Sequence, residues 1–178
     1  MRYPIWMWGI ALFLSVSSLS QPADKEDTDK NEPIYIHGDN GIEIDRTRKE
    51  IRAFKNASLK RGSSILYGDV IYGYYVDTNG KPTLTKVDAI GNVKVTMPNK
   101  TLRAREGTYS VVKDVIVFRG DVRVTEKDNH LKGSYATMDR KTGRTTVLNH
   151  DPLDPKKSPT SQTQNQVRVL LGGGKPLK

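Results

Sequence analysis

A single pattern, used three times, sets the tightest limit on what this chain can fold into. Residues 51–59 (IRAFKNASL), 87–95 (VDAIGNVKV) and 116–124 (IVFRGDVRV) align with one another. Each reads apolar, any, apolar, then a turn-like pair, then apolar, any, apolar. The pairs are Lys55-Asn56, Gly91-Asn92 and Gly120-Asp121. Apolar residues two apart share one face of a strand, and Gly, Asn and Asp break the run between them. A second element follows each copy, over 65–72, 102–109 and 131–138, each beginning with an aliphatic residue and ending in Tyr or Met. Such a repeat is one supersecondary unit used several times. A single unit cannot bury its apolar face, whereas stacked units can. Bends at the turn-like pairs would carry each strand from one sheet to a facing one. The expected fold is all-β: two antiparallel sheets, open at the ends, with apolar residues inward.

The same alternation appears at Ile34-Tyr35-Ile36 and Ile42-Glu43-Ile44. A length of 178 residues allows one ordinary domain. Only 35% of residues are hydrophobic and 28% are charged, which argues against a large closed core. There is no cysteine, so packing and backbone pairing alone must hold the fold. The net charge of +9 suits a polyanion partner, or simply a solvated basic surface.

The termini differ from the centre. Arg2, the apolar run over 5–16 (IWMWGIALFLSV) and the small residues Ser18 and Ser20 form a secretory signal pattern. The run is short for a membrane span of roughly 20 residues, so cleavage is expected between Ser20 and Gln21. Residues 21–32 read as a flexible leader, 33–148 as the β domain, and 149–178 as a disordered basic tail rich in Pro and small polar residues. Within that tail, 167–171 (VRVLL) has the pattern of a short docking strand.

The opening PIYIHGD at 33–39, the three bent units, the signal pattern and the polar tail together resemble the periplasmic lipopolysaccharide-transport bridge family (LptA/OstA-like). The resemblance covers about 33–148. It implies an open β-jellyroll of folded-over antiparallel sheets, whose interior takes the acyl chains of lipopolysaccharide. It further implies a periplasmic location and no cofactor. The implied partners, joined by edge-strand pairing, are an inner-membrane anchored protein, an outer-membrane insertion protein and further copies head to tail. The chain departs from the family where Asn56 follows Lys rather than Gly, and in its VRVLLGGG ending.

Alternation alone suits a dry sandwich as well as a lipid groove; the resemblance favours the groove. Its expected lining comes from the N-terminal strands at Ile36 and Ile44, and from the first unit at Ile51, Ala53, Leu59, Ile65 and Tyr67. The second unit adds Val87, Ala89, Val93, Val95, Leu102 and Tyr109. The third adds Ile116, Phe118, Val122, Val124, Leu131 and Met138. The expected docking edges are Ile34, Tyr35 and Ile36, with 42–44 beside them, at one end and Thr145, Thr146, Val147 and Leu148 at the other. Lys60, Arg61, Lys94, Arg103, Arg105, Lys113, Arg119, Arg123 and Lys132 fall on the polar face, where they suit electrostatic steering of lipopolysaccharide phosphates, though their ordinary task is to block stray edge pairing and keep the sheet soluble.

Nothing in the sequence points to catalysis. His37, His130 and His150 are far apart and lack ligand spacing, and no nucleophile elbow or phosphate-binding glycine loop is present. Two other readings remain open: a membrane-anchored relative in the same pathway, and a structural envelope protein with no ligand. A nucleic-acid-binding β domain is disfavoured by the export signal.

Overall fold

The computed structural model describes residues 32–153 and 167–170. These form ten strands, β1 (Ile34–His37), β2 (Ile42–Asp45), β3 (Glu50–Arg61), β4 (Ser64–Thr78), β5 (Lys81–Met97), β6 (Lys100–Ser110), β7 (Val115–Glu126), β8 (Asn129–Asp139), β9 (Thr145–Leu148) and β10 (Arg168–Leu170). All belong to one antiparallel sheet in the order β1-β3-β4-β5-β6-β7-β8-β10, with β2 also on β3 and β9 also on β8.

The long strands run straight through the repeat but bend in the middle. Register shifts fall between Phe54 and Ala57, Tyr67 and Val70, Ile90 and Val93, Arg103 and Glu106, and Arg119 and Val122. These bulges line up across neighbouring strands and crease the sheet. At the three turn-like pairs both residues are left-handed: Lys55 and Asn56 at φ 58 and 47, Gly91 and Asn92 at 74 and 47, Gly120 and Asp121 at 75 and 48. Asn and Asp tolerate that conformation because their short polar side chains bond locally. Asn56 Nδ2 donates to Asp39 Oδ2 at 2.8 Å, and Asn92 Nδ2 to Asp69 Oδ2 at 3.0 Å. Glycine precedes Asn92 and Asp121 for a second reason: a Cβ on Gly91 would sit 2.1 Å from Asp69 Oδ2, and one on Gly120 2.8 Å from Arg105 Nε.

The crease divides the sheet into two halves built from the same strands. Half A contains β1, β10 and residues 57–61, 64–68, 93–97, 100–104, 122–126 and 129–133. Half B contains β2, β9 and residues 50–54, 70–78, 81–90, 106–110, 115–119 and 135–139. Their inner faces pack together as one core around Phe118, Leu102, Val87, Val93, Val122 and Ile71. Each end of the sheet finishes in the same way, on two short strands. β1 and β2 lie end to end along β3, and β9 and β10 lie end to end along β8.

Part of the stretch read as a disordered tail is therefore ordered. Arg168, Val169 and Leu170 pair with Lys132, Leu131 and His130, and Asp151 accepts from Arg119 Nε at 2.7 Å. The expected signal segment, its Ser20/Gln21 junction and the leader up to residue 31 lie outside the described residues.

Candidate functional site

The candidate site is the space between the two inner faces. β3 supplies Ala53 and Leu59, β5 Val87, Ala89, Val93 and Val95, and β6 Leu102 and Tyr109; β7 supplies Ile116, Phe118, Val122 and Val124, and β8 Met138, all buried there. Ile36 and Leu131 are partly buried against them, and Ile51 is half-buried opposite Gly73. The bends bring these residues together. Leu59 and Ala53 belong to opposite halves, yet both face the interior because the strand turns between them.

Three expected lining residues are placed differently. Ile65 and Tyr67 face outward: Ile65 lies opposite Lys60 and Thr96, and the Tyr67 ring lies under Lys94 Nζ, 5.6 Å away. Leu66, opposite Leu59 and Val95, takes the inner face instead. Ile65-Leu66-Tyr67 is apolar at every position, so either parity satisfies it. The extra residue at Gly68-Asp69 then lets Leu66 and Ile71 share one face despite their odd separation. Ile44 shares a face with Ile51 but lies at the rim and is 61% exposed.

Between the halves runs a narrow apolar groove. Half A contributes Ile34, Leu59, Leu66, Val95 and Met97, and half B contributes Leu84, Tyr109, Ile116 and Phe118. It contains about 40 Å³ of open space, little more than one water's share. Two arginines, Arg61 and Arg140, also line it, one from each half. Arg140 belongs to a polar cluster that the alternation could not reveal. Tyr109 OH donates to the Asp114 carboxylate at 2.8 Å, while Arg140 Nη1 donates to Tyr109 OH at 3.0 Å and lies 3.5 Å from Asp114. Asp114 is buried in the β6–β7 turn at φ 56. Burial, then the bond to Asp114, raises the Tyr109 phenol above its ordinary pKa. The phenol thus stays neutral, and both it and Arg140 border the groove.

The segments read as docking edges lie at the sheet ends. Ile34 and Ile36 turn inward and Tyr35 outward, 64% exposed. Thr145, Thr146, Val147 and Leu148 pair with Met138, Thr137, Ala136 and Tyr135. Among the described residues no strand covers the outer edge of β1, β2, β9 or β10. The histidines stand apart, bonded to Asp39, Thr125 and Asn149.

The family model for the LptA/(LptD N-terminal domain) LPS transport protein matches residues 35–144, most of this folded-over sheet. The chain belongs to this family. Its match spans the sheet from Tyr35 in β1 to the turn before β9. Among solved structures, LptH of Pseudomonas aeruginosa, the LptA-homologous periplasmic component of the lipopolysaccharide transport device, superposes with a TM-score of 0.66 at 16% identity. The alignment covers 82% of this chain and 99% of that one. At this identity the likeness bears on the fold, which is the β-jellyroll of the family. No curated protein matches the sequence.

Proposed function

We propose that this protein carries lipopolysaccharide through the periplasm, holding the acyl chains between the two halves of its creased sheet and passing them on across its open ends. The observation that supports this most directly is the inner surface. It runs apolar from Ile34 and Leu59 in half A to Ile116 and Phe118 in half B, with no carboxylate among its lining residues. Each buried methylene is worth about 0.8 kcal/mol, so a chain of about a dozen carbons gains on the order of 10 kcal/mol before ordering costs. That gain requires the groove to widen, since its present space is far smaller than such a chain. Edge pairing through β1 and β2 at one end, and β9 and β10 at the other, would join copies head to tail. The same pairing would join them to membrane-bound members of the pathway.

Photo-crosslinking tests the reading. A photoreactive residue at the inward position 118 should crosslink to lipopolysaccharide, and one at the outward neighbour 117 should not. Equal labelling at both positions, or none at 118, rejects the groove.

A further inference from the structure

The outer face of half A carries a row of positive charge that the folding of the sheet does not call for. Lys94 on β5 lies directly opposite Arg103 on β6, Arg103 opposite Arg123 on β7, and Arg123 opposite Lys132 on β8. Arg168 on β10 extends the row, opposite Lys132. Five cations thus stand in register across five neighbouring strands, at about 5 Å per step over roughly 20 Å. Like charges directly opposite are destabilising, so the row costs the fold something. Guarding an edge does not account for it, because β5, β6 and β7 have a paired neighbour on both sides.

Compensation within the molecule is slight. Asp121 is 3.0 Å from Arg123 and 3.8 Å from Lys132. Lys94 rests over the Tyr67 ring. Arg103 and Arg105 have no ion-pair partner among the described residues. Shallow hollows flank the central pair, both lined by Arg103 and Arg123. One adds Asn92, Lys94, Arg105 and the Asp121 carboxylate, which already pairs with Arg123; the other adds the Thr101 hydroxyl, Thr125 bonded to His130, and Lys132. Guanidinium forks, an ammonium and hydroxyl donors facing one hollow suit a tetrahedral oxyanion. A phosphate's three acceptor oxygens can bridge two guanidiniums about 5 Å apart, whereas a carboxylate's two oxygens are taken up by one fork.

We infer that this row is a second ligand site, on the opposite face of the sheet from the groove, for a molecule bearing two or more neighbouring phosphate groups. Such phosphates occur in lipid headgroups and in soluble oligophosphates. The site stands independently of the lipid groove.

The test uses the full chain, titrated with inorganic tripolyphosphate and, separately, sedimented with phosphatidylglycerol or phosphatidylcholine vesicles. Polyglutamate serves as the carboxylate probe. The pair R103Q/R123Q is compared with K81Q/K113Q, which removes the same charge from exposed positions off the row. The expected result is binding of at least one phosphate probe, weakened about tenfold or more by R103Q/R123Q and under about twofold by K81Q/K113Q. Tripolyphosphate alone binding would mark a soluble ligand, and phosphatidylglycerol vesicles alone a headgroup; either supports the site. No binding of either phosphate probe, equal losses in the two pairs, or polyglutamate binding as tightly as phosphate would overturn it. Should R103Q/R123Q fail to fold, R103Q against K113Q carries the same comparison.

Discussion

On the outer face of half B the charges come in opposite pairs. Glu43 and Glu50 flank Arg52, Asp88 holds Lys86 and accepts from Thr108, and Glu106 lies opposite Arg119. On the outer face of half A the corresponding row is cationic from Lys94 to Arg168, with Asp121 as the acid between. The inner faces of the two halves show no such contrast. Both are built from aliphatic and aromatic residues and share one core. The same strands supply all four surfaces, so the difference does not follow from strand formation. Burial dictates the inner faces. Half B's outer face is arranged as a protein's solvent surface usually is, and half A's outer face gives up some stability for another purpose.

The largest expected effects test whether the inner faces are equivalent. Phe118→Ala in half B should cost about 3–5 kcal/mol and Leu102→Ala in half A about 2–5 kcal/mol, read from urea unfolding. Equal unfolding slopes for both variants and the parent would mark one cooperative unit. A shallower or two-step transition in either would show that the halves unfold separately.

Next comes the crease itself. Asn92→Val places a β-branched residue at φ 47 and removes the bond to Asp69, for an expected loss of about 1–3 kcal/mol. Asn92→Gly should recover most of it. If Val is tolerated, the left-handed bend is not what joins the halves.

The outer faces should then respond in opposite directions. Arg103→Glu replaces repulsion from Lys94 and Arg123 by attraction and should raise stability by about 0.2–1 kcal/mol. Arg52→Glu in half B breaks the pairs with Glu43 and Glu50 and should lower the melting temperature. A loss of stability in both variants would remove the contrast between the faces.

The smallest effect is local and depends on pH. Backbone N–H groups of Arg48 and Thr142 lower the carboxyl pKa values of Asp45 and Asp139, and the bond from Arg52 lowers that of Glu50. Carboxylates depressed in the folded state contribute stability above their unfolded pKa of about 4, lost as pH falls through the folded values. All three lie in half B or its hairpins. Hydrogen exchange between about pH 5 and 3 should therefore open the β2–β3 and β8–β9 turns before residues 100–104 and 122–126. The reverse order would contradict the assignment.

Much of this architecture could be read from residue order. The three turn-like pairs marked the crease because left-handed positions favour Gly, Asn or Asp, and that preference survives in sequence at five of their six positions, Lys55 being the exception. Alternation placed Val93, Val95, Val122 and Val124 because one face of those strands is polar. It failed at Ile65 and Tyr67, where three apolar residues in succession erase the signal. It also missed Arg140 and Asp114, which meet Tyr109 only after the β6–β7 and β8–β9 turns bring them together. The cationic row was visible only as a scatter of Lys and Arg. Its alignment depends on register between strands, which no single segment encodes. The VRVLL pattern marked a short strand at β10, but not its partner, β8, which lies more than thirty positions earlier.

The crease behaves like the spine of a book. β3, β5 and β7 cross it unbroken on a two-residue joint, and β4, β6 and β8 on a single residue, so on the proposed function the covers would swing apart without tearing the ladders within either one. A groove of about 40 Å³ is then the closed volume. Cargoes of different girth would be met by a change of angle at the spine, shared among several strands, rather than by reshuffling the side chains that line the pages.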